Sequence, residues 1–253
     1  MLVTGAGSGI GRAIALAYGR EGAALVIGAR RSAPLEDTAR ALRAAGAECE
    51  VVGADVCRED DCARLVGAAL DRFGRLDVLI NNAGAPGTDM AVADMTLDNW
   101  NATIAVNLTG PMLLAREALR QAMIPARSGN IQFLSSQAAK RVLARKAHYA
   151  VAKMGLIPLA QALALEVSTH AVRVNTIVVG LVRGELVDRW VARTAAESGR
   201  SEEDVRLGLL VGIPLRRAVE PEDIAAVSLF LASDAAASIT GQNINATNGG
   251  EMR

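Results

Sequence analysis

The 253 residues are enough for one sizeable core, and apolar side chains at 51% with aromatics at only 3% mean that Ala, Val, Leu and Ile must build it. Twenty-seven basic and 27 acidic residues cancel to a formal charge of zero, which excludes a global field drawing the chain to nucleic acid or an anionic membrane. The three cysteines, Cys49, Cys57 and Cys62, form neither a disulfide framework nor a common zinc spacing, so a reducing compartment and no metal are expected.

Met1-Leu2-Val3-Thr4-Gly5 carries no basic or long apolar leader. No stretch reaches the roughly 18 apolar residues of a membrane helix, and a cytoplasmic location is expected. Residues 2–4 read as a short strand, 12–21 as a helix, 24–28 as a strand and 35–45 as a helix. A strand at 50–54, a helix at 59–73 and a strand at 76–81 follow. A long helical stretch covers 97–123, with a strand at 130–135, a helix at 149–168 and a strand at 173–178. Helices fill much of 185–210 and 222–232 before a last strand at 242–245. Strand and helix alternating through short connections predict an α/β fold. The expected architecture is one Rossmann-type domain over residues 1–253, a doubly wound parallel sheet with helices on both faces. The first strand is shorter than the about five residues usual for a strand. It is either an unusually short central strand or the remnant of one whose start codon lies upstream. Pro111 and Pro158 fall inside helical patterns, and each predicts a kink or a break.

Thr4-Gly5-Ala6-Gly7-Ser8-Gly9-Ile10-Gly11 joins the first strand to the first helix. Such glycines let backbone approach a pyrophosphate, and the helix N-terminus offers it free N–H groups. Gly5, Ser8, Gly9, Ile10 and Gly11 are the expected cofactor contacts. An Asp or Glu at the end of the second strand would hold the ribose 2′-OH of NAD, whereas an Arg would accommodate the 2′-phosphate of NADP. Here the strand runs into Ala29-Arg30-Arg31, and no acid appears until Glu36. Arg30 can fork onto a phosphate, so NADP(H) is preferred, with NAD(H) as the alternative.

Tyr149-Ala150-Val151-Ala152-Lys153 opens a helical segment. Residues four apart share a face, so the Lys153 cation is expected to favour the Tyr149 phenolate and bring the pair into range for acid/base work. Ser135 and Ser136 end a strand thirteen to fourteen residues earlier, at the sheet edge where ligands bind. Asn81-Asn82-Ala83-Gly84 ends another strand at that edge. Asn107 sits mid-helix, where its low propensity calls for a functional hydrogen bond or a solvated face.

With these residues the chain resembles the short-chain dehydrogenase/reductase family over essentially its whole length. The carriers are the glycine turn, Asp55-Val56, Asn81-Asn82-Ala83-Gly84, Asn107, Ser136, Tyr149 with Lys153, and Arg173-Val174-Asn175. The resemblance implies a tetrad. Tyr149 would be the general acid in reduction and the base in oxidation. Lys153 would lower its pKa and bind the nicotinamide ribose. Ser136 would orient the carbonyl, and Asn107 would hold a water. Asp55 and Val56 would contact adenine, and Asn82, Ala83 and Gly84 would line the cofactor site. Backbone near Val182 would hold the carboxamide. The chain departs from the family where Val179 replaces a usual Pro, where Gly184 replaces a usual Thr, and where Asn248 replaces an Asp before Gly249-Gly250.

The resemblance also makes residues 183–215 a variable lid over the substrate, with Trp190, Val191, Leu207, Leu209, Leu210 and Val211 as apolar contacts or as helical core. Lys140, Arg141, Arg145 and Lys146 either draw an anionic substrate or acyl carrier protein, or are a solvated loop. Three functions remain open. The first is a ketoreductase on a small molecule or acyl thioester, of 3-oxoacyl or polyketide type. The second is a secondary alcohol, polyol or cyclic diol dehydrogenase working oxidatively. The third is a cofactor-sensing protein without turnover. A homotetramer or homodimer is expected, with Ala150, Ala160, Ala162 and Ala164 allowing helices of two copies to approach closely.

Overall fold

A computed structural model of the chain describes residues 1–252. In chain order it contains β1 (Leu2–Thr4), α1 (Gly9–Arg20), β2 (Leu25–Ala29), α2 (Ser32–Ala44), β3 (Cys49–Gly53), α3 (Glu59–Phe73) and β4 (Val78–Asn81). Next come α4 (Leu97–Ile104), α5 (Gly110–Ala118), α6 (Ile124–Ala126), β5 (Gly129–Ser136), α7 (Gln137–Lys140) and α8 (Ala147–Glu166). The chain closes with β6 (Val172–Val179), α9 (Glu185–Ser198), α10 (Glu202–Leu210), α11 (Pro221–Ala232) and β7 (Asn243–Ala246).

The seven strands form one parallel sheet in the order β3-β2-β1-β4-β5-β6-β7. The chain turns outward in both directions from β1 and β4, so their carboxyl ends flank the switch point where α/β sheets bind ligands. Alternate strand residues face opposite sides. Leu79, Ile131, Phe133 and Val174 pack under α3, α5 and α8. Ile80, Leu134 and Ile177 pack under α1, α2 and α11. Strands buried on both faces explain the near-continuous apolar runs of the sequence.

β1 pairs with β2 over its three residues and with β4 over two, with Val3 opposite Ile27 and Ile80. A buried polar chain ties the second half of the sheet to its helices. Gln132 donates to Asn130 at 2.8 Å and to the Ser228 carbonyl at 2.9 Å. Ser228 Oγ donates back to Gln132 at 2.7 Å, and the Tyr18 hydroxyl donates to the Ser228 carbonyl at 2.9 Å.

Neither Pro111 nor Pro158 breaks its helix. Pro111 and Pro125 each follow a widened π-type turn, Ala105–Thr109 and Leu119–Met123, so 97–126 continues as one helical run instead of breaking. Pro158 lies within an unbroken α8. It faces solvent, and the Met154 carbonyl that lacks its N–H partner belongs to a residue 41% exposed, so water can satisfy it. The alanine face of α8 is also a correction. Ala150, Ala160 and Ala164 are buried in this chain's own core, and only Ala162 is exposed. The outward face instead carries Val151, Met154 and Leu165. No helix among the described residues is long and apolar enough to cross a membrane.

Candidate active site

The glycine turn sits where β1 gives way to α1, and its shape depends on close approach. A Cβ at Gly11 would lie 2.4 Å from the Gly5 carbonyl oxygen and 2.4 Å from Asn82 Nδ2, so only glycine fits. Gly9 has φ of +52° with open space beside it. Ser8, the N-cap of α1, makes no side-chain cap bond, and the first turn contains no acid. The leading N–H groups of α1 therefore face that space without an internal partner. The donor set suits a pyrophosphate, and the residues fit a dinucleotide.

Asn82 fastens this turn to β4. Its Nδ2 donates to the Thr4 carbonyl at 2.8 Å, and the Asn82 and Ala83 N–H groups donate to Thr4 Oγ1, each at 3.2 Å. Thr38 Oγ1 donates to the Ala6 carbonyl at 3.0 Å from α2. Thr4 and Thr38 were not singled out by sequence reasoning; the adjacency of Thr4 to the first glycine was the available signal. At the next strand end, Asp55 accepts from the Cys57 N–H at 3.0 Å and its own N–H donates to Asp61 at 2.8 Å. That closes a tight turn around Val56, which is buried. Arg30 is exposed at the end of β2, near enough to Cys57 to act on its charge. Glu36 is exposed on α2.

Asn107 lies in the π-type turn Ala105–Thr109 and is fully buried, which excludes a solvated face. Its Nδ2 donates to the Ala85 carbonyl at 2.7 Å and the Thr103 carbonyl at 2.9 Å, and its Oδ1 accepts from the Ala85 N–H at 3.3 Å. A Cβ at Gly84 would stand 2.7 Å from Asn107 Oδ1 and 3.4 Å from Lys153 Nζ. Gly84 is thus the seam along which Asn107 and Lys153 meet.

The two serines of β5 divide. Ser135 is buried and donates to the Lys153 carbonyl at 2.8 Å, holding α8 against the sheet. Ser136 Oγ accepts from the Ala138 N–H at 3.1 Å and stands against the Tyr149 phenol, favouring its ionised form. Lys153 Nζ donates to the Leu134 carbonyl at 2.8 Å and lies 5.9 Å from the Tyr149 ring centroid. The protonation states differ from expectation. Burial pushes the Tyr149 phenol up, against the Ser136 contact, and pushes Lys153 down to about 8. Desolvation outweighs the attraction of a cation that is turned toward a carbonyl. Burial thus favours the protonated phenol.

Near Val182 a single bridge pairs with Val219, using the Leu181 carbonyl and the Arg183 N–H at 2.8 and 2.9 Å. The N–H and carbonyl of Val182 itself point to the other side, since strand groups alternate. The four cations after Ser136 are largely tied down. Arg141 donates to the Gly250 carbonyl, Arg145 to the Asp89 carbonyl, Lys140 to Asn245, and Lys146 pairs with Asp89. They brace the loop. His148 is fully buried against Gly87 and Thr103, a packing residue.

Across residues 183–215, Val191, Ala195 and Val205 form a separate small core with Val187 and Leu209 against it. Trp190, Leu207 and Val211 are exposed. The six apolar side chains expected there thus split between core and surface.

The geometry described is that of a dinucleotide-dependent oxidoreductase, and comparisons agree. A family model described as enoyl-(acyl carrier protein) reductase matches residues 5–250. A 3-oxoacyl-[acyl-carrier-protein] reductase of Synechocystis sp. is 35% identical over 98% of this chain and 95% of that protein. The crystal structure of an NAD+-bound xylitol dehydrogenase superposes with a TM-score of 0.92 at 29% identity, covering 98% of this chain and 97% of the other. An actinorhodin polyketide ketoreductase variant with NADPH superposes with a TM-score of 0.93 at 31% identity, covering 98% and 95%. The chain belongs to the short-chain dehydrogenase/reductase family. It is an NAD(P)-dependent oxidoreductase acting on CH–OH groups and the carbonyls they form.

Proposed function

We propose that the protein is an NADPH-dependent ketoreductase acting on a 3-oxoacyl or polyketide-like substrate. The observation that carries this is the meeting of the Ser136 hydroxyl and the Tyr149 phenol at the carboxyl end of β5, with Lys153 one turn along α8. When bound, the nicotinamide supplies hydride to the carbonyl carbon. Ser136 donates a hydrogen bond to the carbonyl oxygen and holds it beside the phenol. Tyr149 then gives that oxygen its proton, and the product is the alcohol. Lys153 stabilises the resulting phenolate and holds the nicotinamide ribose. Asn107 holds a water through which Lys153 returns a proton from solvent. Carbonyl rather than C=C reduction is supported by the one-turn spacing of Tyr149 and Lys153 and by the 3-oxoacyl reductase relative.

The cofactor contacts in this reading are Gly5, Ser8, Gly9, Ile10 and Gly11 for the pyrophosphate, and Asp55 and Val56 for adenine. Asn82, Ala83 and Gly84 line the middle of the site, and the backbone of Val182 takes the carboxamide. Exposed Arg30 takes the 2′-phosphate, and no acid competes for that place at the end of β2. Residues 183–215 cover the substrate, with Trp190, Leu207 and Val211 toward its acyl part. An acyl carrier protein is a candidate bearer of the thioester. The apolar outward face of α8, with Val151, Met154 and Leu165, is proposed to pair copies into a dimer or tetramer.

Fluorescence titration with NADPH and NADH on wild type and Arg30→Ala tests the cofactor assignment. NADPH is expected to bind at least about tenfold tighter, with the gap lost in the mutant, as a charge-assisted fork would give. Equal or tighter NADH binding contradicts it and favours the oxidative dehydrogenase.

A further inference from the structure

The departure at Asn248 has a structural use. Asn248 sits in the left-handed region at φ of +53°, which Asn tolerates. Its Nδ2 donates to the Arg217 carbonyl at 3.1 Å, and its own carbonyl accepts from the Leu215 N–H at 3.2 Å. Asp, the residue usual there in the family, has no such donor when ionised. Gly249, at φ of +84°, lies so close to Pro214 that a Cβ would meet it at 2.8 Å. This side of the turn therefore grips the chain leaving α10.

The other side grips the segment that carries Ser136. The Gly250 carbonyl accepts from Gln137 Nε2 and from Arg141 Nη1, each at 2.8 Å. Gln137 is the residue after Ser136 and the first of α7. The turn is itself rigid. Thr247 Oγ1 donates to the Glu251 carbonyl at 3.0 Å and accepts from the Glu251 N–H at 3.1 Å, and the Gly250 N–H donates to the Thr247 carbonyl at 2.9 Å. Thr247 is anchored in turn, because a Cβ at Gly180 would stand 2.8 Å from its Cα, at the end of β6.

We propose that Asn248-Gly249-Gly250 is a latch that sets the stem of residues 183–215 against the Ser136 segment. Asn248, Gln137 and Arg141 are then positioning residues for the substrate. This rests on reading 183–215 as the substrate cover and Ser136 as the carbonyl's hydrogen-bond donor. Breaking either grip frees the same stem. The two breaks therefore do not multiply.

The test compares full-length Asn248→Gly, Asn248→Asp, Gln137→Leu and the double variant Asn248→Gly with Gln137→Leu. Glycine keeps the backbone conformation and removes only the donor; Asp keeps the shape and removes the same donor. Limited trypsin digestion is followed at Arg189, Arg193 and Arg206, all exposed on α9 and α10, alongside ketone KM, kcat and NADPH affinity. Each single variant is expected to be cut faster than wild type. Each should also raise KM about fivefold, the loss of one hydrogen bond, with kcat and NADPH affinity held. The double variant should stay near that fivefold. Unchanged cleavage in Asn248→Gly overturns the latch. So does a double variant whose KM rises by the product, about twenty-five-fold. If wild type reduces no ketone, the activity reading fails while the cleavage comparison still decides the latch. Should Gln137→Leu not fold, cleavage of Asn248→Gly and Asn248→Asp decides it.

Discussion

At the carboxyl edge of the sheet, polar side chains bond to backbone of neighbouring elements inside the protein. Thr4, Asn82, Ser135 and Asn107 each join two segments in this way. Over residues 183–215, charges pair with one another at the surface, as Arg206 with Asp188 and Arg189 with Glu185. The apolar support differs as well. The edge rests on two extensive cores, while α9 and α10 share a core of three buried residues. Buried bonds to backbone are costly to break because they orphan partners, whereas exposed ion pairs contribute little. The contrast fits the proposed division of roles, a rigid floor that fixes chemistry beneath a segment proposed to cover and admit substrate.

The contrast can be broken by mutation. Gln132→Leu strands Asn130 Oδ1 in the interior and leaves Ser228 Oγ only its 3.2 Å contact with the Tyr18 hydroxyl, and a loss of about 3 kcal/mol in unfolding free energy is expected. A denaturant melt showing under about 1 kcal/mol would mean the network relaxes freely. Lys153 gives an effect of similar size through pH. Its folded value, about 8, lies below its ordinary 10.5. Between those values the unfolded chain binds the extra proton, so stability rises with pH across that window and is flat below it. The rise is expected to approach about 3 kcal/mol and to vanish in Lys153→Met. A wild-type curve parallel to the mutant's contradicts the burial of a titrating ammonium.

Smaller effects belong to the cover. Val205→Ala removes part of its three-residue core and should speed proteolysis of α9 and α10, with about 1 kcal/mol or less in the global melt. A large global loss would mean that the cover and floor fold as one unit. Asp188→Asn breaks an ion pair whose side chains are 45% and 50% exposed, and should change stability by under about 0.5 kcal/mol.

Much of the floor was legible in the sequence because its signals are local. The glycine turn, Asn82 and the Tyr149–Lys153 spacing each lie at a strand end or within one helical turn, where chain order fixes placement. The choice of Ser136 over Ser135 came from the family resemblance; alternation along β5 turns the two opposite ways without saying which of them meets Tyr149. What escaped depends on contacts distant in sequence. α8 is apolar on nearly every side, so periodicity did not orient it, and the alanines expected at a subunit interface proved to be core. The four loop cations found partners at Asp89, Asn245 and Gly250, none of which a local reading selects. The Tyr149 shift was misjudged in sign because Lys153 was placed on the right face while its burial and its bond to Leu134 were invisible.

The most direct test of the account is Tyr149→Phe, assayed for NADPH-dependent ketone reduction and, separately, for NADPH binding. The phenol is the proton donor here, so turnover should fall by about a thousandfold while NADPH binds within about twofold of wild type. Turnover retained within about tenfold would contradict Tyr149 as the general acid, and with it the proposed ketoreductase mechanism.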